Sequence, residues 1–211
     1  MGSPTFLNDP SVPLVADASA VINLIATGCA PTIITAMPNR IVVVDVIPAE
    51  LETGRARGRT DSVRLAELVT SGLVDVVTLG DIASQYFEEL VVGPAAATLD
   101  DGEAATIAYA VEHTGTAVLD ERKATRMCAT RFPTLHLAST VDILLHPEVQ
   151  RHHGGGKLGD AIFNALREAR MKVFPHHLED VIRLIGHERA SLCQSLPKSI
   201  RIPPPKSAEQ S

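Results

Sequence analysis

Apolar residues in the first two thirds of the chain fall into short dense runs separated by stretches of helical periodicity. Leu14, Val15 and Ala16 read as a buried strand, and Asp17 stands where that strand stops and a helix begins. Ser19 is placed to cap this helix, whose inner face carries Val21, Ile22, Leu24 and Ile25, and Gly28 marks its end. Pro31 to Met37 predicts a second short helix closed by Pro38-Asn39. The β-branched run Ile41 to Ile47 predicts a strand buried on both faces, and Pro48 suits the first turn of a helix, which puts Glu50 in that turn.

The same alternation continues. Val63, Leu65, Leu68 and Val69 predict a helix over 61–71, Val74 to Leu79 a strand, and Asp81 to Val92 a helix closed by Gly93-Pro94. Ala104, Ile107, Ala108 and Val111 share a helical face, with Glu103 in the first turn and small alanines that let the helix lie close to a sheet. Thr116 to Asp120 predicts a short strand ending in acid, followed by a helix with Arg122, Lys123 and Arg126, and Thr134 to Leu137 a last strand. Strands alternating with helices argue for an α/β fold with a parallel sheet. From Thr140 onward only helical patterns remain: one helix to about Val149, the hinge-like Gly154-Gly155-Gly156, and helices near Leu158 to Met171 and Pro175 to Ile185. The predicted organisation is an α/β domain over 1–150, a helical C-terminal extension over 151–200, and a disordered Pro-rich tail over 201–211, with Met1 to Ser11 as a loose lead-in.

Composition narrows this reading. The chain has 211 residues, enough for one core plus an appendage. Hydrophobic residues make up 45% but aromatics only 3%, so the core must be built from Val, Leu, Ile and Ala, as α/β layers are. Cys29, Cys128 and Cys193 lack the close pairs of zinc or redox motifs, which suits a reducing compartment. With no basic N-region before an apolar stretch and no bilayer-spanning run, the expectation is a soluble cytoplasmic protein with no membrane partner. The net charge of −6 argues against a general nucleic-acid binder unless much of the acid is gathered where cations neutralise it.

Asp17, Glu50, Glu103 and Asp120 each fall at a strand end or in a first helical turn, where acids also serve as ordinary caps and dipole partners. In a parallel sheet these positions share one rim, along which ligands bind. Two like charges about 4 Å apart repel by roughly 4 kcal/mol at an effective dielectric near 20, so such a cluster protonates, splays or binds cations. All-oxygen donors select hard ions such as Mg²⁺ or Mn²⁺, and the chemistry best served is phosphodiester hydrolysis.

Four segments carry a family likeness: Val15 to Leu24, Val46 to Leu51, Gly102 to Ala110 and Val118 to Ala124 resemble, in order, the successive motifs of PIN-domain proteins. The likeness is nearest to the branch of VapC-type toxins and their prokaryotic relatives. It implies a three-layer α/β/α fold with a central parallel sheet, a Mg²⁺- or Mn²⁺-dependent ribonuclease acting on RNA, a homodimer, and a small antitoxin as partner. By motif position Asp17, Glu50 and Glu103 are the implied catalytic metal ligands and Ser19 the supporting hydroxyl. Many relatives have Thr before the last acid, whereas here Asp120 and Glu121 stand together, so either can be the fourth ligand. The rival is a catalytically silent PIN fold that binds a partner or nucleic acid without cleavage. Arg122, Lys123, Arg126 and Arg131 read as a solvated helix face or as phosphate contacts. His152-His153 and His176-His177 read as surface pairs pointing apart, and Tyr109 and Phe87 as core.

Overall fold

The computed structural model describes residues 5–55 and 58–201. Its elements run β1 (Leu14–Ala16), α1 (Ala18–Ala26), α2 (Ala30–Ala36), β2 (Ile41–Val44), α3 (Val46–Arg55), α4 (Asp61–Thr70), β3 (Val74–Val77), α5 (Asp81–Val91), α6 (Asp101–Glu112), β4 (Thr116–Val118), α7 (Arg122–Arg131), β5 (His136–Ala138), α8 (Thr140–Leu144), α9 (Pro147–Glu168), α10 (Leu178–Ile185), α11 (His187–Ser191) and α12 (Lys198–Arg201). The strands form one all-parallel sheet in the order β3-β2-β1-β4-β5.

Alternation along each strand sends successive side chains to opposite faces, and both faces are covered. Leu14, Ala16, Ile41 and Val43 pack with residues of α1, α2, α4, α8, α9 and α10. Val15, Val42 and Val44 pack on the other side with Leu90 of α5, Ala104, Ile107 and Tyr109 of α6, and Ala124 and Cys128 of α7. The result is the three-layer α/β/α architecture expected, with a core built almost wholly of aliphatic side chains.

Several boundaries differ from the sequence expectation. The β2 strand ends at Val44, and the apolar Val46 and Ile47 belong to α3, because a buried β-branched run satisfies strand and buried helix alike. The lead-in is packed where it is described: Leu7 is fully buried, Phe6 stacks on His136 with ring centroids 4.4 Å apart, and Asn39 Nδ2 donates to the carbonyls of Asp9 (2.7 Å) and Val12 (2.8 Å). The glycines at 154–156 break α9 at Gly154 (φ 68°) without ending it. Val149, Leu158, Ile162 and Ala165 of that helix pack in the same core as β1 and β2. Gly159 lets α9 approach α10 so closely that a Cβ there would stand 2.5 Å from the Leu184 carbonyl oxygen. Residues 56 and 57, residues 1–4 of the lead-in and nearly all of the expected tail, 202–211, lie outside the described residues. Among the described residues no single helix is long and apolar enough to cross a membrane.

Candidate metal centre

The strand order decides where a site can form. The chain lays β2 and β3 outward on one side of β1, then returns to place β4 and β5 on the other, so the connections after β1 and β4 leave in opposite directions. Such a switch point opens a crevice at the carboxyl ends of the two strands. Asp17 follows β1 directly and Asp120 stands two residues beyond β4, with the Asp17 N–H donating to the Val118 carbonyl at 3.3 Å.

Both aspartates are nearly inaccessible, each with 3% exposure. Asp17 itself caps α1: its Oδ1 accepts from the Ala20 N–H at 2.7 Å, and the Ser19 hydroxyl donates to Oδ2 at 2.9 Å. Ser19 therefore orients the cap instead of providing it, contrary to the sequence expectation. Asp120 accepts from the Thr140 N–H (2.9 Å) on Oδ1, and from the Thr140 hydroxyl (2.5 Å) and Asn23 Nδ2 (2.7 Å) on Oδ2. Burial raises the Asp17 carboxyl well above its ordinary range, helped by the charges of Asp120 and Glu103 and opposed by its hydrogen bonds. Burial raises Asp120 as well, despite the three donors that favour its charged form.

The opposite wall comes from α6 and α3. Asp100 caps α6 by accepting from the Glu103 N–H at 2.8 Å, which sets Glu103 in the first turn, facing the crevice. Burial, then Asp100 and Glu121, push the Glu103 carboxyl up to about 7. Because α3 starts at Val46, Glu50 stands a turn deeper than Pro48 suggested, yet it still reaches the cleft. Gly102 makes that approach possible: a Cβ at that position would lie 2.6 Å from Glu50 Oε2 and 3.2 Å from Ile47 Cδ1. Burial raises Glu50, and the charges of Asp100 and Asp101 add to it.

Asp17, Ser19, Glu50, Asp100, Gly102, Glu103 and Glu121 line a cleft of about 150 Å³. Asp120 borders an adjoining hollow of about 280 Å³ with Glu121, Arg122, Lys172, Val173 and Phe174. Asp100 and Lys172 escaped the sequence reading. Asp100 could have been found as the cap position of a helix already recognised, whereas nothing local marks Lys172, which forms an ion pair with Glu121 across 51 positions of chain. Two of the basic residues of α7 are spoken for: Lys123 Nζ donates to the Ala95 carbonyl at 2.7 Å and Arg131 to the Glu89 carbonyl at 3.0 Å. The paired histidines at 176 and 177 do not point apart, since they sit in a 3₁₀ turn with ring centroids 4.0 Å apart, and His177 is buried. Tyr109 is buried and Phe87 half-buried against the core, as expected.

A family model described as a PIN domain matches residues 13–187. The chain belongs to the PIN-domain family. No curated protein and no solved structure matches it. The match spans both walls of the cleft, from β1 to the segment that carries Lys172 and His177. PIN domains are as a class metal-dependent nucleases, and the donors present fit a hard divalent cation. They are all carboxylate oxygens, two of them on nearly inaccessible aspartates, and burial raises the carboxyls of Asp17, Glu50, Glu103 and Asp120, as expected of a cluster that a cation would neutralise. Among the described residues the one group of three whose ligand atoms all lie within 4.8 Å of one another is Asp142, His176 and His177, none of which lines this cleft, although the Asp142 charge reaches Asp120. The acids of the PIN cleft stand wider apart than that.

Proposed function

We propose that this PIN domain is a Mg²⁺- or Mn²⁺-dependent endoribonuclease, with Asp17, Glu50, Glu103 and Asp120 holding the metal and Ser19 supporting them. The observation that carries the reading is the meeting of Asp17, Asp120 and Glu103 at the β1/β4 switch point, each with a carboxyl raised by burial. When bound, the metal would supply an activated water and stabilise the leaving oxygen of a phosphodiester. The chain's own residues prepare the site. Ser19 and the Ala20 N–H fix the Asp17 carboxylate, and Asn23 and Thr140 fix that of Asp120 while leaving lone-pair capacity on Oδ1. Glu103 holds a proton in part of the population near neutral pH and gives it up when a cation arrives. Of the adjacent pair, Asp120 is the fourth ligand, and Glu121 stays at the rim with Lys172.

The Arg122 side chain beside the adjoining hollow gives an RNA backbone a positive contact next to an otherwise acidic cleft. The toxin role with a small antitoxin and the homodimer come with the VapC-like resemblance, the cytoplasmic location with the unpaired cysteine pattern, and the division near residue 150 into nuclease domain and helical extension with the loss of strand patterning after Thr140. Exposed Val63 and Val76 leave apolar surface for a second copy, and light scattering at micromolar concentration tests the dimer. The rival, a silent fold that only binds, is favoured by one observation: Lys172 already neutralises Glu121.

Asp17→Asn separates the two readings, because it keeps volume and capping ability while removing the charge that would hold the cation. Cleavage of a mixed RNA pool with Mn²⁺ should fall by orders of magnitude in Asp17→Asn and vanish with chelator. Equal residual cleavage by wild type and variant would leave the silent binder ahead.

A further inference from the structure

We propose that Asp142, His176 and His177 form a second cation site, with a ligand set distinct from that of the acid cleft and suited to Zn²⁺. Asp142 stands on α8, just past the carboxyl end of β5, and the two histidines lie in the turn Pro175–His177 that leads into α10. One ligand atom from each lies within 4.8 Å of the other two, and His177 Nε2 is 3.0 Å from Asp142 Oδ1. A tetrahedral zinc with ligands at 2.0–2.2 Å keeps them roughly 3.3 Å apart, so a small contraction would complete the set.

Hydrogen bonding supports the assignment independently. His177 is nine-tenths buried, and its Nε2 is turned to Asp142 Oδ1 rather than to solvent. Asp142 is oriented from behind: its Oδ2 accepts from the Ser139 N–H at 2.8 Å and from the Ser139 hydroxyl at 2.6 Å, so Oδ1 is the oxygen turned to the histidines. That is the outer support metal-binding carboxylates usually have. Two imidazoles and one carboxylate favour zinc over magnesium, whereas the acid cleft offers oxygen alone. His176 is exposed, which leaves an entry path and a fourth position for water.

A cation here would tie α8 to the segment ahead of α10, five residues after Lys172, and so hold the strap that reaches Glu121. The site does not depend on nuclease activity. The test is calorimetric titration of the metal-stripped full chain with Zn²⁺, and the visible spectrum of its Co²⁺ form, for wild type, Asp17→Asn, His176→Ala and a His152→Ala/His153→Ala control. Exposed His176 can be removed without threatening the fold. Wild type, Asp17→Asn and the control should share one Zn²⁺ site of the same affinity, whatever further Zn²⁺ the intact acid cleft takes up, and show the intense visible bands of tetrahedral Co²⁺. His176→Ala should lose at least about tenfold in affinity, the lower cost of losing even an outer-shell partner. Unchanged Zn²⁺ affinity in folded His176→Ala, binding lost in Asp17→Asn or in the control, or no binding by wild type would each overturn the proposal.

Discussion

Replacing Gly102 by alanine separates the stability of α6 from the geometry of the acid cleft. The new Cβ would stand 2.6 Å from Glu50 Oε2 and 3.2 Å from Ile47 Cδ1. The carboxylate is the far end of a flexible, exposed side chain and can swing away cheaply, while Ile47 Cδ1 must give by a few tenths of an ångström. Gly102 has no positive φ, so alanine meets no backbone strain and gains about 0.5–1 kcal/mol of helix propensity. Crowding Ile47 costs about 1 kcal/mol, the low end for overpacking. The two nearly cancel, so Tm should move by no more than about 4 °C in a chain of this size. Metal binding should change far more, since Glu50 leaves the cleft: a loss of about 1.4 kcal/mol is already tenfold in affinity. The assay is Mn²⁺ titration by calorimetry alongside RNA cleavage, for Gly102→Ala, Glu50→Gln and the double variant. If Gly102 acts by admitting Glu50, the double variant should be no worse than the poorer single one. Wild-type Mn²⁺ affinity in Gly102→Ala, or fully additive losses, would refute the reasoning.

Between the ordinary carboxylate range and about pH 7 the metal-free native state should hold protons, on Glu103 and Asp17 among others, that the unfolded chain has already released. Stability from these groups is therefore full below their unfolded pKa values and lost as pH rises through the folded ones. Thermal melts from about pH 5 to pH 8 should show this decline, Glu103→Gln should flatten it, and the Tm gain from Mn²⁺ should grow with pH; a Mn²⁺ gain independent of pH would contradict the assignment. Thr140→Val removes the hydroxyl that donates to Asp120 Oδ2, and should destabilise the protein by about 1.5–3 kcal/mol in urea while lowering cleavage. An unchanged urea midpoint would show that this hydrogen bond contributes nothing. Gly159→Ala places a Cβ 2.5 Å from the Leu184 carbonyl, and should cost about 1–3 kcal/mol by parting α9 from α10 without touching Mn²⁺ affinity. Wild-type stability would mean that the two helices part freely.

Local pattern was enough to find the five described strands and most helices, and for β1, β2 and β4 burial on both faces leaves runs such as Ile41 to Val44 that polar context cannot mimic. It was also enough to single out Asp17, Glu50, Glu103 and Asp120, since acid at a strand end or early in a helix is a local event. The β2–α3 boundary was not legible, for Val46 and Ile47 suit either element once buried. Three things waited on tertiary structure. Strand order alone puts β4 beside β1 and so brings Asp120 next to Asp17. Close approach alone explains Gly102, whose missing side chain matters because Glu50 arrives from another helix. Long-range contact alone pairs Lys172 with Glu121 and His177 with Asp142, since a partner distant in the chain leaves no periodicity in it. The sequence by itself determined which acids stood at strand ends and which faces were apolar, because those are properties of a few consecutive residues. Which acids share one cleft, and which histidine is buried beside a carboxylate, was decided only when the parallel sheet fixed the order of its strands and the C-terminal helices closed over one face.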